Sequence, residues 1–382
     1  MTEPFESVLL NPPKEVDIVA IERELSALWK QAAEPASVDQ APPVVRACSL
    51  NLIVVSRDRQ ELDSLGNIIG DVTLEHPART FLISADRTSS PTLDAWISAR
   101  CSLPVPGGKQ VCCEQINLVA GGNEIAKITS IVTSLLVPDV PSVLVWRDKV
   151  RTNDQLFSSL SRVMDRVVMD SALERDPGTS FRLWERNIRE NEGRASFGDL
   201  GWTHLTPMRN MLAHVFQPRE MRPHLLQIDA LSITYSSSTN PFHSGLSQAI
   251  LLVGWLAQRM RWIPIHPLKR TDVTMTAKLR FDETAIKVRL IEGSLVGHSG
   301  GVIGVHLQTT SGVEISLAAT GSSHCVKCTI SDGKTNQHEM LTSGEDLSDS
   351  FLLGKELEVM HRDKLYEDVL KTLLPLLEEN EG

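Results

Sequence analysis

Cys325-Val326-Lys327-Cys328 places two thiols three residues apart, a spacing that can bind metal or exchange electrons with a second thiol pair. Zinc needs four ligands. His324 and His338 are the nearest additions, and no second CxxC exists to complete a set. A redox CxxC works best at a helix N-terminus, where the dipole lowers the thiol pKa. This run reads instead as a strand, whose period of two turns residues three apart to opposite faces. Cys325 and Cys328 are the candidate redox residues, and a purely structural role is the plainer expectation. Cys112-Cys113 reads as two small buried residues, one on each face of a strand. Glu114 shares the face of Cys112, and a carboxylate there needs a partner. Arg79, on the neighbouring strand, is expected to supply it as a structural ion pair with Glu114.

The run from Asp199 to Arg209 has a different character. It gathers Trp202, Thr203, His204, Thr206, Pro207 and Arg209 into one short polar–aromatic turn. Thr206 suits a helix N-cap and Pro207 the first helical position. Such a turn fits a helix start buried between domains as well as it fits a partner-binding site. Because Trp and Arg dominate interface hot spots, Trp202, Thr203, His204 and Arg209 form the candidate partner interface.

Other chemistry is not written in the chain. Gly107-Gly108 and Gly121-Gly122-Asn123 could be taken for phosphate loops, but neither GxGxxG nor GxxxxGK[ST] occurs. GxSxG and HExxH are absent, and the 11 histidines do not cluster at metal spacing. No residue is assigned as catalytic, cofactor-binding or metal-binding. On these residues alone nothing identifies an enzyme or a cofactor site.

The elements that must position these residues follow from periodicity. A helix is expected over 17–33, followed by a Pro-rich linker. Strands are expected over 47–55, 78–84, 110–119, 142–146 and 166–169. Helices at 59–69, after Gly121-Gly122, and at 156–164 alternate with them. That alternation predicts an α/β layer with a mostly parallel sheet. Helices at 181–191 and 207–216 connect to a second half. There, a strand over 225–235 and a buried helix over 246–260 precede five strands between 272 and 331. The chain should close on one or two helices over 351–377, broken near His361 or Pro375. The expected organisation is an N-terminal helix and linker (1–45), an α/β domain (46–175), a helical connector (176–222) and a strand-rich α/β domain (223–382).

The chain has 382 residues and a formal net charge of −10, and 41% of its residues are hydrophobic. These values fit a globular protein of two or three domains and argue against a general nucleic-acid binder. The longest apolar run, 246–256, is too short to span a bilayer of ~20 residues, so no membrane association is expected. The acidic N-terminus does not resemble a signal peptide. A cytoplasmic protein with six reduced cysteines is the expectation. The charge is polarised. Residues 331–382 hold 13 acidic and 5 basic side chains, whereas 259–289 hold 8 basic and 3 acidic. The acidic end could orient a partner electrostatically, or serve as a solvated terminal helix.

Asp199-Leu200-Gly201-Trp202-Thr203-His204-Leu205-Thr206-Pro207-Met208-Arg209 resembles the signature of the OpcA family, the glucose-6-phosphate dehydrogenase assembly proteins. The family pattern is close to D-L-x-W-T-R-L-T-P-W-R, and this sequence departs from it at His204 and Met208. Glu75-His76-Pro77-Ala78-Arg79-Thr80 resembles the family's H-P-S/A-R-T block. Val111 to Ile116 is similar to its C-x-E-x-I strand, and Leu135 to Trp146 to its L-L-x-P-D-L-P-x-x-L-W-W run. Gly254-Trp255-Leu256-Ala257-Gln258-Arg259-Met260 with Trp262 resembles its G-W-L-A-x-R-L-x-W helix. The matches run in order over about residues 17–262.

The resemblance implies two α/β domains and a non-catalytic partner protein. It would bind glucose-6-phosphate dehydrogenase, favour its active oligomer and act as an allosteric activator in the oxidative pentose phosphate pathway. Redox control in photosynthetic relatives makes thioredoxin a second implied partner. Two alternatives stay open. One is a sugar-phosphate- or nucleotide-binding α/β protein or enzyme with a pocket at its strand ends. The other is a thiol-based redox sensor using Cys325 and Cys328.

Overall fold

The computed structural model describes residues 8–9, 14–33, 44–102, 110–149, 151–173, 176–236, 245–271, 274–295, 301–320, 325–332, 337–341 and 347–377. Its first half runs β1 (Val8–Leu9), β2 (Lys14–Glu15), α1 (Ile21–Ala33), β3 (Val44–Arg46), β4 (Leu50–Ser56), α2 (Glu61–Glu75), β5 (Ala78–Asp86), β6 (Thr92–Ser102) and β7 (Gln110–Gly121). Then come α3 (Ile128–Leu135), β8 (Ser142–Arg147), α4 (Gln155–Ser161), β9 (Arg166–Met169), α5 (Pro177–Glu190), β10 (Ser196–Asp199), α6 (Leu200–His204) and α7 (Thr206–Val215).

Six of these strands are parallel neighbours in the order β7-β5-β4-β8-β9-β10. Counted along the chain from β4, that order is 3-2-1-4-5-6, the doubly wound arrangement. The chain is α/β as expected, and this sheet runs to residue 199, past the expected division at 175. One crossover is unusual. β5 reaches β7 through β6, an antiparallel strand on the outer side of β7, rather than through a helix. On one sheet face, α2 lies over Leu52, Val54, Leu82 and Val145. The other face carries α1, α3, α4 and α5, with Ile128, Phe157 and Trp184 fully or almost fully buried.

The second half runs α8 (Arg222–Leu225), β11 (Ile228–Ser236), α9 (Gly245–Met260), β12 (Ile263–Thr271), β13 (Thr274–Phe281), β14 (Thr284–Gly293), β15 (Gly301–Thr309), β16 (Glu314–Ala319), β17 (Val326–Ser331), β18 (Gln337–Leu341), α10 (Asp349–Glu358) and α11 (Lys364–Leu377). Its eight strands form one sheet in the order β12-β13-β14-β11-β15-β16-β17-β18. Strict alternation explains its two faces. On β14, Ile286, Val288 and Leu290 are buried while Lys287 and Arg289 are exposed. α9 packs on the buried face, and α11 lies against α9 and β12. Gly254 permits that approach, because a Cβ there would come 2.5 Å from Leu373 Cγ.

The closing helices overturn the reading of the acidic end as a solvated tail. α10 returns to the first sheet, where Leu352, Leu353 and Leu357 join α2 over β4 and β8. α11 buries Tyr366, Val369, Leu370, Leu373 and Leu376. Two of the acids are buried as well. Glu367 is held by Arg362 at 2.6 Å and Glu356 by Arg166 at 2.5 Å. The break falls at the expected place near His361, but Pro375 lies inside α11 and does not interrupt it.

The expectation that all six cysteines are reduced is also corrected. Cys101 on β6 lies directly opposite Cys112 on β7, with Cα atoms 4.0 Å apart, and the two form a disulfide. The fully buried Cys112 side chain points towards β6, which the sequence reading did not place.

Candidate functional site

The doubly wound order puts a topological switch point between β4 and β8, where a dinucleotide would bind on the first βα turn. That turn reads Ser56-Arg57-Asp58-Arg59-Gln60-Glu61. It lacks the glycines that let a pyrophosphate approach backbone N–H groups. Asp58 accepts from Gln60 N at 2.8 Å, and the Glu61 carboxylate accepts from Ser56 Oγ at 2.7 Å. A carboxylate in the first turn of α2 takes the place where a phosphate would be favoured. Arg57 and Asp148 form an ion pair across the switch point itself. A dinucleotide does not fit these residues.

The other expected loops are uninformative. Gly107-Gly108 lies outside the described residues. Gly121-Gly122 opens a 3-10 turn over Gly122–Lys127, with Gly122 at φ 55°.

The polar cluster lies instead at the junction of the sheets. β9 and β10 end side by side, and the sequence Asp199-Leu200-Gly201 turns β10 directly into α6. Asp199 is the true cap: its Oδ1 accepts from Gly201 N at 2.9 Å and from Ser171 N at 3.1 Å. Its Oδ2 accepts from the Tyr366 hydroxyl at 3.2 Å. Thr206, expected to cap α7, has its hydroxyl turned to Arg209 at 3.0 Å instead.

Trp202, on α6, is 3% exposed. Its ring packs against Arg209, whose guanidinium is 3.5 Å from the ring centroid, and against Tyr366 at 5.8 Å between centroids. Its Nε1 donates to Asp363 Oδ2 at 3.1 Å, while Asp363 Oδ1 accepts from Tyr366 N at 2.9 Å. Thr203 donates to Glu356 Oε1, whose other oxygen holds Arg166. Gly198 makes room for that pair, since a Cβ there would overlap both Glu356 Oε2 and Arg166 Nη2. Trp202, Thr203 and Arg209 therefore line one cavity of about 290 Å³, with Arg166, Phe351, Lys355, Glu356 and Asp363 among its other walls. His204 faces away, against Met208, Gln248 and Val302 at the second sheet.

Burial sets the charge states here. It pushes the Asp199 carboxyl up to about 7 and the Arg209 guanidinium down to about 10. Burial, followed by the adjacent Asp199, raises Tyr366 well above the usual phenol range. An unfolded aspartate loses its proton near pH 4. Between about 4 and 7 the folded chain holds more protons than the unfolded one, so the Asp199 contribution to stability declines as pH rises. Asp199→Asn keeps an acceptor oxygen for both N–H donors and abolishes that ionisation. Urea denaturation of the variant from pH 5 to 8 should show a flatter decline than the parent chain. Parallel profiles would contradict the buried-acid assignment.

The remaining candidates are held apart from this site. Arg79 Nε donates to Glu114 Oε2 at 2.6 Å, with both side chains buried. Glu114 is further held by Trp29 Nε1 at 2.5 Å and Arg46 at 2.9 Å, and Arg79 reaches Glu22 at 2.5 Å. This network ties α1 to the parallel sheet. Cys325 precedes β17 and Cys328 lies buried within it. Burial pushes the Cys328 thiol up to about 11, which disfavours the thiolate needed for exchange. His338 lies on β18, while His324 falls outside the described residues.

Sequence reasoning missed Arg166, Glu356, Asp363 and Tyr366, which complete the cavity and its support. Asp363 carried a legible signal, as an Asp three residues before Tyr366 at a helix start. Arg166 and Glu356 are 190 residues apart, and neither shows by its surroundings that it is buried.

The chain matches a family whose two parts are described as the glucose-6-phosphate dehydrogenase subunit N-terminal domain, over residues 70–186, and C-terminal domain, over 195–370. Among curated proteins it is similar to the OxPP cycle protein OpcA of Synechocystis sp., at 26% identity over 331 residues, 83% of this chain and 67% of that one. The OpcA protein of Synechococcus elongatus is 25% identical over 331 residues, covering 83% and 72%. Among solved structures, an NAD binding oxidoreductase from Klebsiella pneumoniae superposes with a TM-score of 0.49 at 10% identity, over 87% of this chain and 95% of that one. Glucose-6-phosphate 1-dehydrogenase from Mycobacterium avium gives 0.49 at 10% identity, over 86% and 90%. No described helix is long and apolar enough to cross a membrane.

Proposed function

The chain belongs to the OpcA family of glucose-6-phosphate dehydrogenase subunits, and from that premise we propose that it is a non-catalytic partner of the dehydrogenase. It binds the enzyme and favours its active oligomer in the oxidative pentose phosphate pathway. The observation that carries this reading is the first βα turn. A doubly wound sheet is present, yet its phosphate-binding position holds Asp58 and Glu61, and Arg57 and Asp148 bridge the crevice. The doubly wound sheet is thus kept without a cradle for a dinucleotide.

Activation then works by differential binding. A partner that prefers the high-affinity oligomer shifts the population towards it, and a tenfold gain in apparent affinity needs only about 1.4 kcal/mol of coupling. Trp202 is enclosed, so it orders the junction rather than touching the enzyme. The contact falls to the outward face of β13 and β14. Lys278, Arg280, Lys287 and Arg289 are exposed there, and Lys278 stands directly opposite Lys287. Like charges placed opposite each other are unfavourable, and an acidic partner surface relieves them.

Titration of purified glucose-6-phosphate dehydrogenase with this chain tests the reading. The chain should raise the enzyme's mass and lower its KM. A Lys287→Glu, Arg289→Glu variant should slow association at least tenfold at low salt. Equal association of parent and variant would remove this face from the contact.

A further inference from the structure

Arg209 carries a charge that no described residue neutralises by direct contact. Its Nη2 donates to two neutral oxygens, Trp202 O at 3.3 Å and Thr206 Oγ1 at 3.0 Å. Its Nε is buried and without a hydrogen-bond partner among the described residues. The two carboxylates nearest in charge are committed elsewhere. Asp363 serves Trp202 and Tyr366, while Glu356 serves Arg166 and Thr203. Burial alone pushes Arg209 down, and Asp363 and Glu356 only partly oppose it. Arg209 is half-buried, and a guanidinium drawn this far from water without a carboxylate in contact leaves room for an anion beside it. The Trp202 ring supports one face of the guanidinium and fixes its plane.

The cavity beside it has the form of a ligand site. Its volume of about 290 Å³ lies at the lower end of the ~300–1,000 Å³ range of small-molecule pockets. Lys355, an exposed residue of its lining, is a second cation and is paired with Glu358 at 2.9 Å. Thr203 and Thr206 add hydroxyls and Phe351 an apolar wall, while Glu356 and Glu358, each already paired with a cation, keep spare lone pairs as acceptors. A planar guanidinium beside a hydroxyl suits a tetrahedral oxyanion, and the carboxylate acceptors suit hydroxyl groups.

We infer that this cavity binds a small phosphomonoester of a polyol, with its phosphate against Arg209 and Thr206 and its carbon chain against Phe351. The inference does not depend on the partner reading, because it is argued from described residues of this one chain alone.

Calorimetric titration of the chain alone with glucose 6-phosphate, glucose and inorganic phosphate tests it. Glucose 6-phosphate should bind with one-to-one stoichiometry, and at least tenfold more tightly than either fragment. Arg209→Met, which keeps an aliphatic stem over Trp202, should weaken that binding at least tenfold. Lys355→Gln at the exposed mouth, where folding is not at stake, should weaken it about threefold. Absence of binding at millimolar glucose 6-phosphate would overturn the proposal. So would equal affinity for inorganic phosphate, or unchanged affinity in both variants. None of these outcomes bears on whether the chain binds the dehydrogenase.

Discussion

Glu356→Ala should lower the unfolding free energy by about 3–5 kcal/mol, the typical cost of leaving one member of a buried ion pair alone. Arg166 is 1% exposed, and its Nη2 bonds Glu356 at 2.5 Å. Its remaining contacts, Ser196 Oγ at 3.2 Å and His361 O at 3.4 Å, are weaker and neutral. Removing the carboxylate also leaves Thr203 without its acceptor. Gly198→Ala should act in the same direction, because its methyl would wedge between the two charged groups. The double variant Arg166→Met, Glu356→Leu should recover most of the loss, since well-packed apolar replacements often match a buried pair. Urea denaturation measures all three. A loss under about 1 kcal/mol for Glu356→Ala would mean that the pair does not clamp α10 to the first sheet.

Truncation after residue 344 should abolish cooperative folding. The deleted part includes Leu352, Leu353, Leu357, Tyr366, Val369, Leu370, Leu373 and Leu376, all buried. Each contributes roughly 1.5–3 kcal/mol by burial, against a net stability of about 5–15 kcal/mol for a whole domain. The cut would uncover α2 on the first sheet and α9 beside the second. The truncated chain should lose its sigmoidal melting transition, seen by circular dichroism. A soluble fragment with an unchanged melting midpoint would show that the acidic end is dispensable.

How far the fold can be read from sequence depends on the element. β4, β5, β8 and β9 are short runs of Val, Ile and Leu bounded by turns, and their positions follow from that pattern. β6 alternates correctly, but its inward residues include Ala95, Ala99 and Cys101, too small to give a strong apolar signal. Without β6 the partner of Cys112 stays hidden. β12 is interrupted by Pro264 and Pro267, which argue against a strand in sequence and are tolerated because it lies at the sheet edge. The candidate site divides in the same way. The turn from Asp199 to Arg209 is conspicuous by composition, and the structure brings Trp202, Thr203 and Arg209 around one cavity. Which side chains are enclosed depends on α10 and α11, which arrive more than 140 residues later in the chain. No local pattern encodes that return. The charge asymmetry was legible as a count, but its meaning depends on packing. The basic strands present an open face, while part of the acidic end is folded inward.

The most direct test of the central claim is the mass and KM of glucose-6-phosphate dehydrogenase measured with increasing amounts of this chain. Sedimentation should show a complex heavier than the enzyme alone, and the KM for glucose 6-phosphate should fall in step with complex formation. An enzyme whose mass, KM and maximal rate all stay constant at saturating chain would contradict the account.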